Sequence, residues 1–175
     1  MRRFNLLFFI YMILQVDSRQ KEGKHKLKHE YFESLGIKLV TSKMIVGDYC
    51  IPSNGSIVVD TKKDMMELYG DMIQQHERFR DECILAQEAG IKLYILVENT
   101  NDIKELKDVA TDKWKNPLWF KYYKYKNTLK PPVKNVTLMK MLYTMQTKYD
   151  VEFVFCTPEE AGKKILELLG ADVNA

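Results

Sequence analysis

The chain has 175 residues, 46% of them hydrophobic and 29% charged, with a formal net charge of +3. That fits one domain of common size with enough apolar material for a core, and excludes a disordered chain or a coiled coil. A net charge this small names no partner; its distribution along the chain carries more information.

The opening residues MRRFNLLFFIYMIL place two arginines before a short apolar run, superficially like a secretory signal. No small-residue cleavage site follows, and the run is too short to span a bilayer. Met12 offers an alternative start. Residues 1–12 are therefore read as a candidate N-terminal extension and residues 13–171 as one domain, with export as the alternative and no membrane partner expected.

After the apolar stretch ILQV (13–16), Leu27, Tyr31, Phe32 and Leu35 recur at helical spacing, and Gly36 stands where a helix-ending glycine belongs. Residues 37–44 read as extended. PSNG (52–55) is a dense turn signal before the β-branched run IVV (57–59). From Lys63 the period changes: Met65, Leu68, Tyr69, Met72, Phe79, Cys83 and Ala86 predict one long helix ending at Gly90. IKLYILV (91–97) predicts a strand covered on both faces. Residues 98–135 are polar and weakly periodic, with a short helix expected around 103–109. A helix over 138–149, the strand VEFVF (151–155) and a helix opened by TPEE and ending at Gly170 complete the chain. Alternating helices and apolar strands predict an α/β domain, its central mixed sheet flanked by helices on both faces. Cys50, Cys83 and Cys156 are odd in number and widely spaced, so reduced structural thiols and a cytoplasmic protein are expected.

Asp60 and Lys62 alternate in phase along the predicted strand, so both emerge on one side of it. If the preceding segment folds back through PSNG, Asp48 comes close to Asp60. Two such carboxylates suit a hard divalent cation, magnesium or manganese, which commonly takes only one or two protein carboxylates. The chemistry that needs this arrangement is phosphodiester hydrolysis: the metal activates water and neutralises the leaving group, while Lys62 orients or helps to deprotonate the water and stabilises the transition state. D-x-K alone is a weak signal, and a surface hairpin with an ordinary ion pair has the same sequence.

The longer order supplies specificity. VDSRQ (16–20), a helix, VGDY (46–49), IVVDTKK (57–63) and a long helix carrying ERF (77–79) resemble the XPF/ERCC-type nuclease domain of the PD-(D/E)XK superfamily, in its stand-alone phage and bacterial short form. The resemblance implies a restriction-endonuclease-like fold and magnesium-dependent cleavage of branched, flapped or forked DNA, in repair, recombination or replication. It implies Asp48 and Asp60 as metal ligands and Lys62 as the catalytic lysine. It puts Asp17, Arg19 and Gln20 on the family's D-x-R-E element, and gives Arg78 a role in positioning the phosphate or the helix. A homodimer is a candidate assembly, and a phage-encoded form would act in the host cytoplasm. Two positions depart from the family pattern: E-R-K reads Asp60-Thr61-Lys62, and Gln20 replaces a glutamate. They motivate the alternative of a weakly active or inactive DNA-binding module.

From residue 113 to 149 there is no acidic residue, while Lys115, Lys121, Lys124, Lys126, Lys130 and Lys134 alternate with Trp114, Trp119, Tyr122 and their aromatic neighbours. Lysines neutralise phosphates and aromatic rings stack on unpaired bases, so a DNA groove competes here with a loop that packs on the core and turns its lysines to solvent. The basic run containing Lys24 and His25 adds charge beside the site; His25 and His29 have zinc-compatible spacing but no third ligand.

Overall fold

The computed structural model describes residues 12–20, 23, 25–125 and 130–171. The expected Lys24 and Lys126 contacts, and residues 1–11 of the candidate extension, lie outside the described residues.

Six strands form one mixed sheet: β1 (Ile13–Asp17), β2 (Lys38–Ser42), β3 (Tyr49–Ile51), β4 (Asn54–Lys62), β5 (Lys92–Glu98) and β6 (Glu152–Cys156), in the order β2-β1-β3-β4-β5-β6. β3 is antiparallel to both β1 and β4, and the remaining neighbours are parallel. The predicted hairpin is β3–β4, turning at Pro52-Ser53. β4 starts at Asn54, earlier than the apolar run suggested, because Asn54 already pairs with Ile51.

Helix α1 (Lys26–Ser34) follows β1; α2 (Met65–Ile73) and α3 (His76–Glu88) connect β4 to β5; α4 (Leu118–Tyr125), α5 (Asn135–Tyr149) and α6 (Ala161–Leu168) follow. Alternation along β4 sends Val58 and Val59 to opposite faces. Val58 packs with Leu68 and Met72 of α2, Phe79 of α3 and Leu142 of α5, whereas Val59 packs with Phe32 of α1 and Ile165 of α6. Helices thus cover both faces, as expected. α6 approaches α1 so closely that a Cβ on Gly162 would lie 2.6 Å from the Tyr31 ring.

The single long helix expected from Lys63 is instead α2 and α3, broken at Gln74 and Gln75. The QQH run (74–76) offers no apolar side chain to pin a straight helix to the sheet, and both Gln74 and Gln75 N–H groups close on the Gly70 carbonyl. α2 begins directly after β4 because Asp64 caps it, its Oδ1 accepting from Glu67 N at 2.8 Å. Within 98–135 a 3-10 helix covers Leu106–Ala110, and α4 was not foreseen. α4 is only eight residues long and fully buries none of them, with Leu118, Trp119 and Tyr122 half-buried on one side.

Candidate active site

A cleft of about 470 Å3 opens beside the end of β4, lined among others by Asp17, Arg19, Asp48, Asp60, Lys62 and Arg78. The hairpin register sets it. Tyr49 pairs with Val59, the Asp48 N–H donates to the Val59 carbonyl at 2.9 Å, and Asp48 is thereby brought beside the end of β4. Thr61, which stands where the family pattern has arginine, holds Asp48 instead: its N–H donates to Asp48 Oδ2 at 2.9 Å and its hydroxyl to the same oxygen. Gly47 lets the chain enter. It has φ +67, and a Cβ there would lie 2.5 Å from Val58 Cγ1, so a side chain meets both backbone strain and a clash.

Asp60 and Lys62 emerge on the α2–α3 face, as alternation requires, and Lys62 Nζ sits 5.2 Å from the Phe79 ring centroid. The ammonium lies 2.7 Å from Asp60 Oδ2 and 2.7 Å from Asp71 Oδ2. Burial disfavours its charge, but the two carboxylates outweigh burial and raise its pKa. Lys62 is thus held as a cation between two carboxylates. Burial, reinforced by the charges of Asp48 and Asp71, pushes Asp60 up to about 6 against the pull of Lys62. Asp60 Oδ2 is buried and faces the Lys62 ammonium at 2.7 Å.

Arg78 Nη2 lies 3.1 Å from Asp71 Oδ1, so Asp71 joins two of the cleft's cations, Lys62 and Arg78. Asp17 accepts from Arg19 N and Nε on Oδ1 and from Arg19 Nη2 and Met44 N on Oδ2, at 2.7–2.8 Å. Burial opposes its ionisation, yet these hydrogen bonds hold it below the ordinary carboxylate range. Asp17 thus serves as a fork that aims the half-exposed Arg19 into the cleft. Glu82 on α3 accepts from Gly47 N at 3.1 Å and lines the same cleft; burial and the charge of Asp60 raise its pKa.

Gln20 does not line this cleft. Its Nε2 donates to the Asp48 carbonyl at 3.2 Å, its buried Oε1 has no partner among the described residues, and it faces a neighbouring cavity with His25. His25 is 4% exposed, and its Nδ1 lies 3.0 Å from the Tyr49 hydroxyl, which also meets His29 Nε2 at 3.2 Å. The ring is thus buried rather than spread on the outer surface, and lines that cavity. The Tyr49 hydroxyl occupies the position between the two histidines where a zinc ion would need to sit.

Among the described residues no three His, Cys, Asp or Glu groups are arranged to hold a metal. What does fit a hard divalent ion is the chemistry of the donor set, the two carboxylates Asp48 and Asp60 that line one cleft. Sequence reasoning missed Asp71 and gave Glu82 no role. The available signal was an acid beside the apolar stripe of each helix, Asp71 three residues after Leu68 and Glu82 three after Phe79.

Lys115, Trp119 and Lys134 line a separate cavity. Lys121, Lys124 and Lys130 are exposed, and Tyr122 is half-buried. The two readings of this segment divide by residue. Trp114 packs into the core against Tyr69 at 6.1 Å, whereas Phe120, Tyr123 and Tyr125 on α4 are 74%, 69% and 51% exposed.

No curated protein matches this sequence. Among solved structures, XPF from Aeropyrum pernix superposes with a TM-score of 0.58 at 16% identity, over 90% of this chain and 63% of that one. XPF from Aeropyrum pernix in complex with DNA gives a TM-score of 0.57 at 16% identity, over 91% and 64%. At that identity the likeness establishes the restriction-endonuclease-like fold, and this chain spans less than two thirds of those chains' length. The sequence model of the ERCC4 domain matches residues 16–169, a span that runs from the end of β1 through α6 and includes every cleft residue described above. The chain belongs to the ERCC4 domain family, the XPF type of nuclease domain.

Proposed function

We propose that the protein is a metal-dependent DNA endonuclease, selective for branched, flapped or forked DNA, acting in repair, recombination or replication. The observation that carries this reading is the hairpin register that gathers Asp48 and Asp60 beside the fixed cations Lys62, Arg19 and Arg78 in one cleft. Asp48 and Asp60 would hold magnesium or manganese. When bound, the ion would supply an activated water and neutralise charge on the leaving oxygen.

The chain's own groups then have separable tasks. Lys62, kept charged by Asp60 and Asp71, stabilises charge building on the phosphoryl oxygens. Arg19, held by Asp17, and Arg78, held by Asp71, orient the phosphate. Thr61 and Gln20 fix Asp48 from its side chain and its carbonyl respectively. The lysines of residues 113–149 neutralise the flanking backbone. Three buried free thiols suit a reducing cytoplasm, and among the described residues no helix is long and apolar enough to cross a membrane.

Incubating labelled duplex, forked, flapped and branched DNA with magnesium or manganese tests this reading. Nicking of the branched forms is expected, and it should be lost in Asp60→Asn and in Lys62→Ala. Unchanged cleavage in both variants would remove the assignment. A second reading, a DNA-binding module with little or no activity, is favoured by the position of Gln20 outside the cleft. Salt-sensitive binding without cleavage under any divalent ion would select it.

A further inference from the structure

The end of the 3-10 helix Leu106–Ala110, the loop after it, α4 and the start of α5 line an open cavity of about 390 Å3, apart from the carboxylate cleft. Its size is at the lower end of small-molecule pockets, the scale of one nucleotide. Trp119 supplies an aromatic wall, braced by Tyr122 and Tyr123 at centroid distances of 5.7 and 5.8 Å. Lys115 and Lys134 stand in the lining, while Asp112 makes part of it unfavourable for phosphate.

Asn116 makes this more than a basic aromatic surface. It is 4% exposed, and its Oδ1 accepts from Leu118 N at 2.9 Å, which fixes the amide's orientation. Its Nδ2 is buried with no acceptor among the described residues. A buried amide donor without a partner costs free energy unless a ligand supplies the acceptor. Base edges carry such acceptors, and a base face stacks on indole. In a duplex the base faces are committed to stacking on their neighbours; only an unpaired nucleotide presents a face to the indole together with its pairing edge.

We propose that this cavity is a subsite for one unpaired nucleotide of the DNA substrate: Trp119 stacks on its base, Asn116 Nδ2 donates to its edge, and Lys115 and Lys134 hold its phosphates. The inference rests on the nuclease reading above and adds the element by which a strand junction is recognised. The subsite is tied to the cleft. Trp114 packs on Tyr69 of α2, and the Tyr69 hydroxyl accepts from Val133 N at 2.9 Å, so both ends of the α4 segment are anchored to the helix that carries Asp71.

Fluorescence anisotropy in EDTA, where cleavage is blocked, tests the subsite with a labelled fork carrying one unpaired thymidine arm and a blunt duplex of the same sequence. The wild type should favour the fork. Trp119→Ala should weaken fork binding roughly five- to hundredfold, the range for losing one stacked base, and leave the blunt duplex within about twofold. Asn116→Asp, which keeps the Oδ1 cap but removes the donor, should also weaken the fork. Fork affinity unchanged in both variants would overturn the proposal, as would tight Trp119-dependent binding of free thymidine monophosphate without any fork preference. If the wild type binds and cleaves DNA but neither variant alters the preference, the subsite alone falls; if it binds neither DNA, the nuclease reading falls with it.

Discussion

Asp71 bears on more of the cleft's chemistry than its absence from any recognisable motif suggests. One carboxylate meets Lys62 at 2.7 Å and Arg78 at 3.1 Å, so a single side chain fixes two cations that would otherwise repel each other. Asp71→Ala should destabilise the fold by about 2 kcal/mol, the usual cost of losing a hydrogen bond to a charged group, and lower cleavage at least tenfold. Denaturant melts and single-turnover rates check the two effects. Asp60 makes a separate prediction. Its folded pKa of about 6 lies above the ordinary aspartate value of 3.8, so between those values the folded state binds more protons than the unfolded one. In the metal-free protein this contribution destabilises the fold as pH rises through that window, and stability is regained as pH falls. A divalent ion prefers the ionised carboxylate, so the magnesium-dependent gain in melting temperature should shrink as pH falls through about 6. Asp60→Asn should abolish that pH-dependent gain in a thermal-shift series.

At the scale of elements, the β3–β4 hairpin positions the site and α4 extends it. Gly47→Ala combines a positive φ with a Cβ 2.5 Å from Val58, and should cost about 2–4 kcal/mol in a urea melt. α4 predicts the opposite pattern. Because it buries no residue, Lys121→Glu with Lys124→Glu should leave the melting temperature unchanged while reducing the salt dependence of DNA binding. The same contrast explains what the sequence revealed. The hairpin was legible because period-2 runs flank a turn signal, and alternation then put Asp60 and Lys62 on one side. The break between α2 and α3 was not, since Met72 and Phe79 keep helical phase across it and no glycine or proline marks it. α4 was harder to read because it spans only eight residues and fully buries none of them. Asp71 and Asn116 owe their importance to partners brought together only by tertiary packing, which spacing does not encode.

Across the whole molecule, the sheet sorts chemistry from support. The α2–α3 face carries Lys62 with Asp71, Arg78 and Glu82, whereas the α1–α6 face carries the buried Lys28–Glu98 ion pair and the His25–Tyr49–His29 contacts. Asp48 joins the two, fixed through Thr61 and through the Gln20 bond to its carbonyl, so a change in the supporting network reaches the metal-binding pair through one residue. The central claim is that this pair works with Lys62 to cleave DNA. Single-turnover cleavage of a labelled fork, with magnesium and with EDTA, in the wild type and in Asp60→Asn, tests it most directly. The account predicts magnesium-dependent product from the wild type and none above the EDTA background from the variant; equal product from both proteins, or product that persists in EDTA, would contradict it.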